Sequence, residues 1–200
     1  FSISNVVSSP IIYKNKIVFA DDVGTIFYID KYGKAIWKKN IYKKVYKKIY
    51  KNLSFTIYKD KVYVVDNIGF MYAINLQNSK VIWFKNHGTP FKSNIKIFDD
   101  NIYVINQDNR ILCFSTKNGN KIWDLRSISS FIKSQGLQSL AISKEGDLIT
   151  LNTSGDLFKV KASNGSLHWS LNITESKLAH ETDFFRSSSI VLSDDDIIFS

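Results

Sequence analysis

Cysteine is almost absent from this 200-residue chain, in which Cys113 is the only one. A single cysteine excludes an intrachain disulfide and a zinc site made of several cysteines. No apolar run reaches the length of roughly 18 residues that a transmembrane helix needs. The sequence begins FSIS and shows no signal peptide. We therefore expect either a processed form or a segment of a longer protein.

Arginine is scarce too, although Lys and Arg together number 27 and the net charge is +9. Only Arg110, Arg126 and Arg186 are present. Because base-reading sites depend on the fork of the guanidinium group, this balance disfavours sequence-specific DNA recognition, and we expect no nucleic-acid partner. The positive charge favours anionic surroundings without deciding the fold.

Catalytic motifs are missing as well. There is no G-x-S-x-G sequence and no P-loop, and His87, His168 and His180 stand apart, without the spacing of zinc ligands. Most aspartates fall in predicted turns, where Asp is common for backbone reasons. The apolar content of 44% and the aromatic content of 14% instead predict a packed core.

What the sequence does contain is a repeat. Each copy holds an apolar strand, a polar turn, a second strand, another turn and a Trp, and the turns centre on Gly24, Gly69, Asn109 and Gly155. The four copies are KIVFADDVGTIFYIDKYGKAIW (16–37), KVYVVDNIGFMYAINLQNSKVIW (61–83), NIYVINQDNRILCFSTKNGNKIW (101–123) and DLITLNTSGDLFKVKASNGSLHW (147–169). Gly and Asn suit the turns because a tight hairpin needs positive φ.

A further apolar segment precedes each copy, for example LSFTIYK (53–59), so each repeat holds about four strands. Four strands in a period of some forty residues predict an all-β fold, a β-propeller of four-stranded antiparallel blades. We expect residues 1–200 to form one partial propeller domain. Its blades would end near residues 37, 83, 123 and 169, with an incomplete blade over 170–200, which makes about four and a half blades.

The copy GFMYAINLQNSKVIW (69–83) resembles the repeat of the PQQ-type propellers, and the resemblance extends over nearly the whole chain. It implies a propeller that closes with seven or eight blades, so that further blades lie outside this chain. It also implies that the repeated indoles dock against neighbouring blades. These structural tryptophans are Trp37, Trp83, Trp123 and Trp169.

Catalytic members of this family, the quinoprotein dehydrogenases, hold PQQ with Ca²⁺ and a vicinal pair of cysteines. That pair cannot form in this chain, and Cys113 occupies a small core position of its strand, so we expect no bound cofactor and no enzyme activity. The chain is more similar to the non-catalytic BamB family of outer-membrane assembly lipoproteins. The alternatives are a fragment of a PQQ-dependent dehydrogenase and a propeller sensor domain of the stress-kinase luminal type.

Similarity to the BamB family implies a periplasmic scaffold at the outer membrane, whose anchor lies outside this segment. The implied partner is a barrel-assembly component such as BamA, bound through connecting loops. Two loops break the regular pattern, 124–136 and 175–189, and both combine aromatic with basic residues. The candidate partner-binding residues are Arg126, Phe131, Lys133, Phe184, Phe185 and Arg186.

The stretch WKKNIYKKVYKKIYKN (37–52) joins two blades and contains seven lysines and no acid. Its pattern predicts a short amphipathic helix or helical loop, with a strand extension as the alternative. The lysines, Lys51 included, would line the solvated half. They either stay solvated or contact an anionic surface such as lipid headgroups or an acidic partner. The candidate contact residues are Lys43, Lys44, Lys47 and Lys48.

Overall fold

The structure is a computed structural model that describes residues 5–6, 8–46, 48–126, 136–152, 155–173, 190–193 and 196–198. The chain divides into two compact units, Phe1–Pro90 and Phe91–Ser200. Each unit is built from antiparallel sheets in which consecutive strands pair with each other.

The first unit contains two four-stranded sheets, with strand orders β1-β2-β3-β4 and β5-β6-β7-β8. The strands of the first sheet are β1 Ile11–Tyr13, β2 Lys16–Ala20, β3 Thr25–Asp30 and β4 Ala35–Asn40. A 3₁₀ turn at Lys44–Tyr46 lies in the connection between the sheets. The strands of the second sheet are β5 Leu53–Tyr58, β6 Lys61–Asp66, β7 Phe70–Asn75 and β8 Val81–Asn86.

The second unit repeats this arrangement and adds one strand pair. Its first sheet holds β9 Lys96–Phe98, β10 Asn101–Ile105, β11 Arg110–Ser115 and β12 Lys121–Arg126. Its second sheet holds β13 Ser139–Ile142, β14 Asp147–Leu151, β15 Asp156–Lys161 and β16 Leu167–Asn172, and the additional pair is β17 Val191–Ser193 with β18 Asp196–Ile198. The predicted all-β class with four-stranded antiparallel sheets is therefore confirmed for the described residues.

The turn before the third strand of each sheet is held by one Asp or Asn side chain. Oδ1 of Asp21 accepts the backbone N–H of Thr25 at 2.7 Å, and Asp66 accepts that of Phe70 at 2.8 Å. The corresponding side chains in the other two sheets are Asn106, bonded to the N–H of Arg110 at 3.1 Å, and Asn152, bonded to that of Asp156 at 2.9 Å. The short polar side chain closes the turn because it reaches the backbone of the residue that starts the next strand.

Two of the repeated indoles tie one sheet to the next within a unit. In the first unit, Nε1–H of Trp37 donates to the carbonyl of Leu76 at 2.7 Å. In the second, Nε1–H of Trp123 donates to the carbonyl of Ala162 at 3.0 Å, and Gly165 lies directly against its ring. An indole is suited to this place because it buries a large apolar ring and still satisfies its donor.

Cys113 lies in the middle of β11 and is fully buried. Burial raises the pKa of its thiol to about 12, since the charged thiolate is disfavoured in an apolar environment. At neutral pH the side chain is therefore a protonated core residue.

Candidate functional site

The lysine-rich connection between the first two sheets folds differently from its sequence pattern. β4 continues to Asn40, and beyond it the described residues form only the 3₁₀ turn Lys44–Tyr46 and irregular chain. Lys43, Lys44 and Lys48 are exposed, and Lys47 lies outside the described residues. Of the three predicted forms, the described part of the stretch thus combines a strand extension up to Asn40 with a helical loop, and it is not an amphipathic helix.

One lysine of this connection contradicts the pattern. Lys51, expected on the solvated half, is 0% exposed. Its Nζ donates to the carbonyls of Tyr46 and Ile49, both at 2.5 Å, and lies 4.9 Å from the centre of the Tyr42 ring. Burial lowers the pKa of Lys51, and the nearby charges of Asp66, Asp21 and Asp22 oppose this shift. Lys51 therefore holds the connection in place from the inside.

Tyr42 is the second anchor of the connection. Its ring covers Gly24, where an added Cβ would lie 2.2 Å from Cδ2 of the ring. Its hydroxyl donates to Oδ2 of Asp66, whose Oδ1 also accepts the N–H groups of Ile68 and Gly69, each at 2.8 Å. Burial raises the pKa values of both the Tyr42 hydroxyl and the Asp66 carboxyl.

The anchored connection forms one wall of an apolar groove with a volume of about 830 Å³. The other walls come from β7 and β8 of the second sheet. The lining residues are Ile41, Lys43, Val45, Tyr46, Phe70, Tyr72, Val81, Ile82, Trp83, Phe84 and Asn86. Tyr46 meets Phe70 edge-on at 5.1 Å between ring centres, and Phe84 stacks on Tyr72 at 5.9 Å. We call this feature the aromatic groove.

The aromatic groove has the features of a binding surface. Phe84 is 52% exposed at its rim and Val45 is 73% exposed, so large apolar side chains face solvent beside exposed lysines. Concave apolar surfaces with aromatic lining are typical places for a ligand or partner side chain to bind. The repeat pattern does not single out Phe70 or Phe84. Phe84 can be found from the sequence by comparing the residue that follows the tryptophan in each repeat, because this residue is aromatic in the second repeat alone.

Of the six candidate partner-binding residues, the structure describes only Arg126. Phe131, Lys133, Phe184, Phe185 and Arg186 lie outside the described residues. Arg126 ends β12, is exposed, and pairs across the strands with Arg110. The guanidinium of Arg110 forms an ion pair with Asp124, and the ammonium group of Lys121 forms a second ion pair with the same carboxylate. These contacts place Arg126 beside a network of charges and leave its role in binding a prediction.

The described residues lack the vicinal pair of cysteines expected to hold PQQ in the dehydrogenases. Cys113 is a buried core residue, and Asp21 and Asp66 are engaged by the N–H groups of their own turns. Within the part of the chain that the structure describes, no three His, Cys, Asp or Glu side chains are placed to hold a metal ion. The described residues contain no helix with the length and apolar character to cross a membrane.

The solved structures most informative for this chain are propellers. BamB from Moraxella catarrhalis superposes with a TM-score of 0.75 at 10% sequence identity, covering 100% of this chain and 59% of that one. Quinohemoprotein alcohol dehydrogenase from Comamonas testosteroni gives a TM-score of 0.68 at 13% identity, covering 86% of this chain and 36% of that one. A quinohemoprotein alcohol dehydrogenase from Pseudomonas putida gives 0.68 at 12%, covering 87% and 35%.

At these identities the structural likeness shows the fold, and it confirms the four-stranded sheets as blades of a β-propeller. The chain spans 59% of the length of the BamB structure and about a third of each dehydrogenase. No curated protein sequence matches the chain significantly. A sequence model of the family described as outer membrane protein assembly factor BamB matches in two overlapping segments, residues 3–132 and 59–199. These segments take in nearly the whole chain, which therefore belongs to the BamB family of propeller proteins.

Proposed function

We propose that this chain is part of a non-catalytic interaction scaffold, a BamB-like subunit that assists the insertion of β-barrel proteins into the bacterial outer membrane. The observation that carries the proposal is the family match over residues 3–199. The proposed location is the periplasm, in association with the outer membrane. The proposed partner is a barrel-assembly component such as BamA.

The propeller proposed for the intact protein closes with seven or eight blades, of which residues 1–200 supply about four and a half. A rigid ring of sheets is suited to a scaffold because its connecting loops and blade edges present fixed surfaces. Arg126 and the predicted loop residues near it and near 184–186 remain candidate contacts for the partner. The exposed Lys43, Lys44 and Lys48 support contact with an anionic surface.

The test removes the intact protein from its host and measures the outer-membrane levels of β-barrel proteins. We expect those levels to fall, and the tagged intact protein to co-purify with the barrel-assembly component from detergent-solubilised membranes. Unchanged barrel-protein levels together with no co-purification would contradict the proposal. Arg126→Ala tests the loop prediction, with the exposed Lys117→Ala as a control, since Lys117 lies in the turn between β11 and β12.

A PQQ-dependent dehydrogenase is the second candidate, because two quinohemoprotein dehydrogenases share the fold over most of this chain. The test adds PQQ and Ca²⁺ to the intact protein, removes the unbound cofactor by gel filtration, and records the absorbance of the protein fraction. The scaffold proposal predicts no retained cofactor. A stoichiometric cofactor absorbance would favour the dehydrogenase instead.

A further inference from the structure

The four blades differ where the outermost strand pairs with the beginning of the third strand, and we call this place the corner. In the second blade the corner belongs to the aromatic groove. The residue after each blade tryptophan lies on the outermost strand and pairs across to the third strand. In blade order it is Lys38 opposite Phe27, Phe84 opposite Tyr72, Asp124 opposite Leu112 and Ser170 opposite Phe158. Only the second blade therefore carries an apolar side chain at this position.

The neighbouring position shows the same contrast. In the other three blades a polar contact closes the corner. These contacts join Asn40 to Thr25 at 3.3 Å, Arg110 to Asp124, and Asn172 to Asp156 at 2.7 Å. In the second blade, Phe70 stands where the others have Thr25, Arg110 and Asp156. Asn86 is the counterpart of Asn40 and Asn172, so the ring of Phe70 replaces one partner of the polar contact. Phe70 and Phe84 both line the groove.

The rim of the groove also offers backbone groups. β8 is the terminal strand of its sheet. The N–H of His87 donates to the carbonyl of Gly69 at 2.8 Å, which fixes the alternation of the antiparallel ladder. By that alternation, Phe84 and Asn86 direct their backbone N–H and C=O groups away from β7. An extended peptide that pairs with β8 would therefore place its side chains beside Phe84.

The charge around the groove selects the partner. The connection that walls the groove, residues 37–52, contains seven lysines and no acid. Lys43 lines the groove. Lys44, Lys48 and Lys85 are exposed and lie within two residues of groove-lining residues in the sequence. An acidic segment is attracted to this surface, whereas a second copy, with a net charge of +9, is repelled. A flat lipid surface satisfies the lysines but leaves a concave groove unfilled.

We propose that the aromatic groove binds an extended acidic peptide segment of a partner protein, which adds to the edge of β8 and inserts apolar side chains beside Phe70 and Phe84. This inference rests on the proposed scaffold function and assigns it a contact surface separate from the loops. Backbone pairing supplies the orientation, the rings accept the side chains, and the lysines select acidic sequences.

The test uses three fluorescein-labelled 12-residue peptides and the intact protein, with binding measured by fluorescence anisotropy. In the first peptide Asp and Glu alternate with Phe and Leu. The second has Lys in place of the acids, and the third has Ser in place of the apolar residues. We expect the first to bind at least about tenfold more tightly than the others, and to weaken as NaCl is raised. Equal binding of all three would overturn the proposal.

Matched variants locate the binding site. Phe84→Ser introduces the residue that the fourth blade has at this position, so the sheet is expected to fold, and it should weaken binding of the first peptide about tenfold or more. Leu171→Ser is the control, because Leu171 is 57% exposed on an outermost strand and Phe84 is 52% exposed. The pair Lys43→Gln and Lys44→Gln should also weaken binding. The exposed pair Lys31→Gln and Lys34→Gln should not.

Other outcomes identify other occupants. Binding to phosphatidylglycerol vesicles that Lys43→Gln and Lys44→Gln abolish, without peptide binding, would overturn the proposal in favour of a membrane. Self-association lost in Phe84→Ser would overturn it in favour of a second copy. Peptide binding without co-purification of a barrel-assembly component would support the groove and contradict the proposed function. If Phe84→Ser leaves co-purification intact and no peptide binds, the result would support the proposed function and contradict the groove as a binding site.

Discussion

Each compact unit contains one junction between its two four-stranded sheets, and the two junctions use different chemistry at the same place. In the first unit, Gly24 leaves room for the ring of Tyr42, which packs directly on it. In the second, Asn109 stands at the corresponding turn position, and its own Oδ1 accepts Nε2–H of Gln138 at 2.9 Å. Gln138 also donates to the carbonyl of Asn106 at 3.2 Å. The second junction is thus closed by neutral amides.

The first junction instead buries charge. Lys51 and Asp66 are both buried there, whereas Asn152 stands at the position of Asp66 in the second unit. Neutral amides therefore suffice to join two blades. Because Tyr42 and Lys51 also belong to the connection that walls the aromatic groove, the charged junction fixes the groove as well as the sheets.

The largest effect is expected at Gly24. Its φ is +85°, and an added Cβ would lie 2.2 Å from the Tyr42 ring. Gly24→Ala should therefore lower the free energy of unfolding by about 3–5 kcal/mol, from backbone strain and overpacking together. Gly33 is the control, because its φ is +80° and no atom lies within 4 Å of the added Cβ. Gly33→Ala should cost only about 1–2 kcal/mol. Equal costs in urea denaturation would show that Tyr42 is not tightly packed.

Asp66 is expected to give the next largest effect. Asp66→Ala removes the acceptor of the Tyr42 hydroxyl and of three backbone N–H groups, and should cost about 3 kcal/mol. Asp66→Asn keeps an oxygen acceptor, as Asn152 does in the second unit, and should cost about 1 kcal/mol. Thermal or urea unfolding of the two variants measures the difference. An equally destabilised Asn variant would mean that the negative charge, not the acceptor, holds the turn.

Lys51→Met tests whether charge is needed in the first junction. The variant keeps the aliphatic part but loses the two bonds to the carbonyls of Tyr46 and Ile49. It also loses the charge that interacts with Asp66. We expect a loss of about 2 kcal/mol. Combining Lys51→Met with Asp66→Asn makes the junction neutral, and the two losses should fall short of additivity by about 1 kcal/mol. Strict additivity would show that the two groups do not interact.

The smallest expected effect is a dependence of stability on pH. The folded chain raises the pKa of Asp66 above its ordinary value of 3.8, chiefly through burial. Its contribution to stability is therefore fully present below pH 3.8 and is lost as pH rises through the raised pKa. The wild type should lose stability relative to Asp66→Asn over this range.

Asp124 in the second unit is the control of opposite sign. The hydrogen bond from Lys121, followed by that from Arg110, lowers the pKa of Asp124 below its ordinary value of 3.8. Its contribution is present above pH 3.8 and is lost as pH falls through the lowered pKa. Urea unfolding between about pH 2 and pH 7 should therefore give opposite slopes for Asp66→Asn, above pH 3.8, and Asp124→Asn, below pH 3.8, each relative to wild type. Parallel slopes would contradict the account of both sites.

The blades are predictable from the sequence because the information that forms them is local. Asp21 and Asp66 each bond an N–H four residues ahead, and each strand pairs with its neighbour in the chain. The repeat of Trp37 and Trp123 marks where one sheet meets the next, and their indole bonds reach 39 residues along the chain. A pattern of turns and tryptophans therefore carries most of the fold.

The site is less predictable because contacts distant in sequence decide it. A helical wheel groups Lys51 with its neighbouring lysines on the solvated side. In the structure Lys51 is instead buried against the turn at Gly24, where the charge of Asp66 acts on it. Phe84 is one more aromatic residue in a strand until its counterparts in the other repeats are compared. In the loops that the family resemblance selected, Phe131 and Phe184 lie outside the described residues, so those predictions stand untested.

The meander order of the sheets bears on how this chain reaches its native state. Backbone pairing in each four-stranded sheet never extends beyond one repeat, so the contacts that form a blade are short-range in sequence, and such contacts favour fast folding. A chain emerging from a ribosome can therefore complete the pairing of one blade before the next repeat is synthesised. The indole bonds of Trp37 and Trp123 then join sheets already formed, which limits the time that a bare strand edge is exposed to other chains.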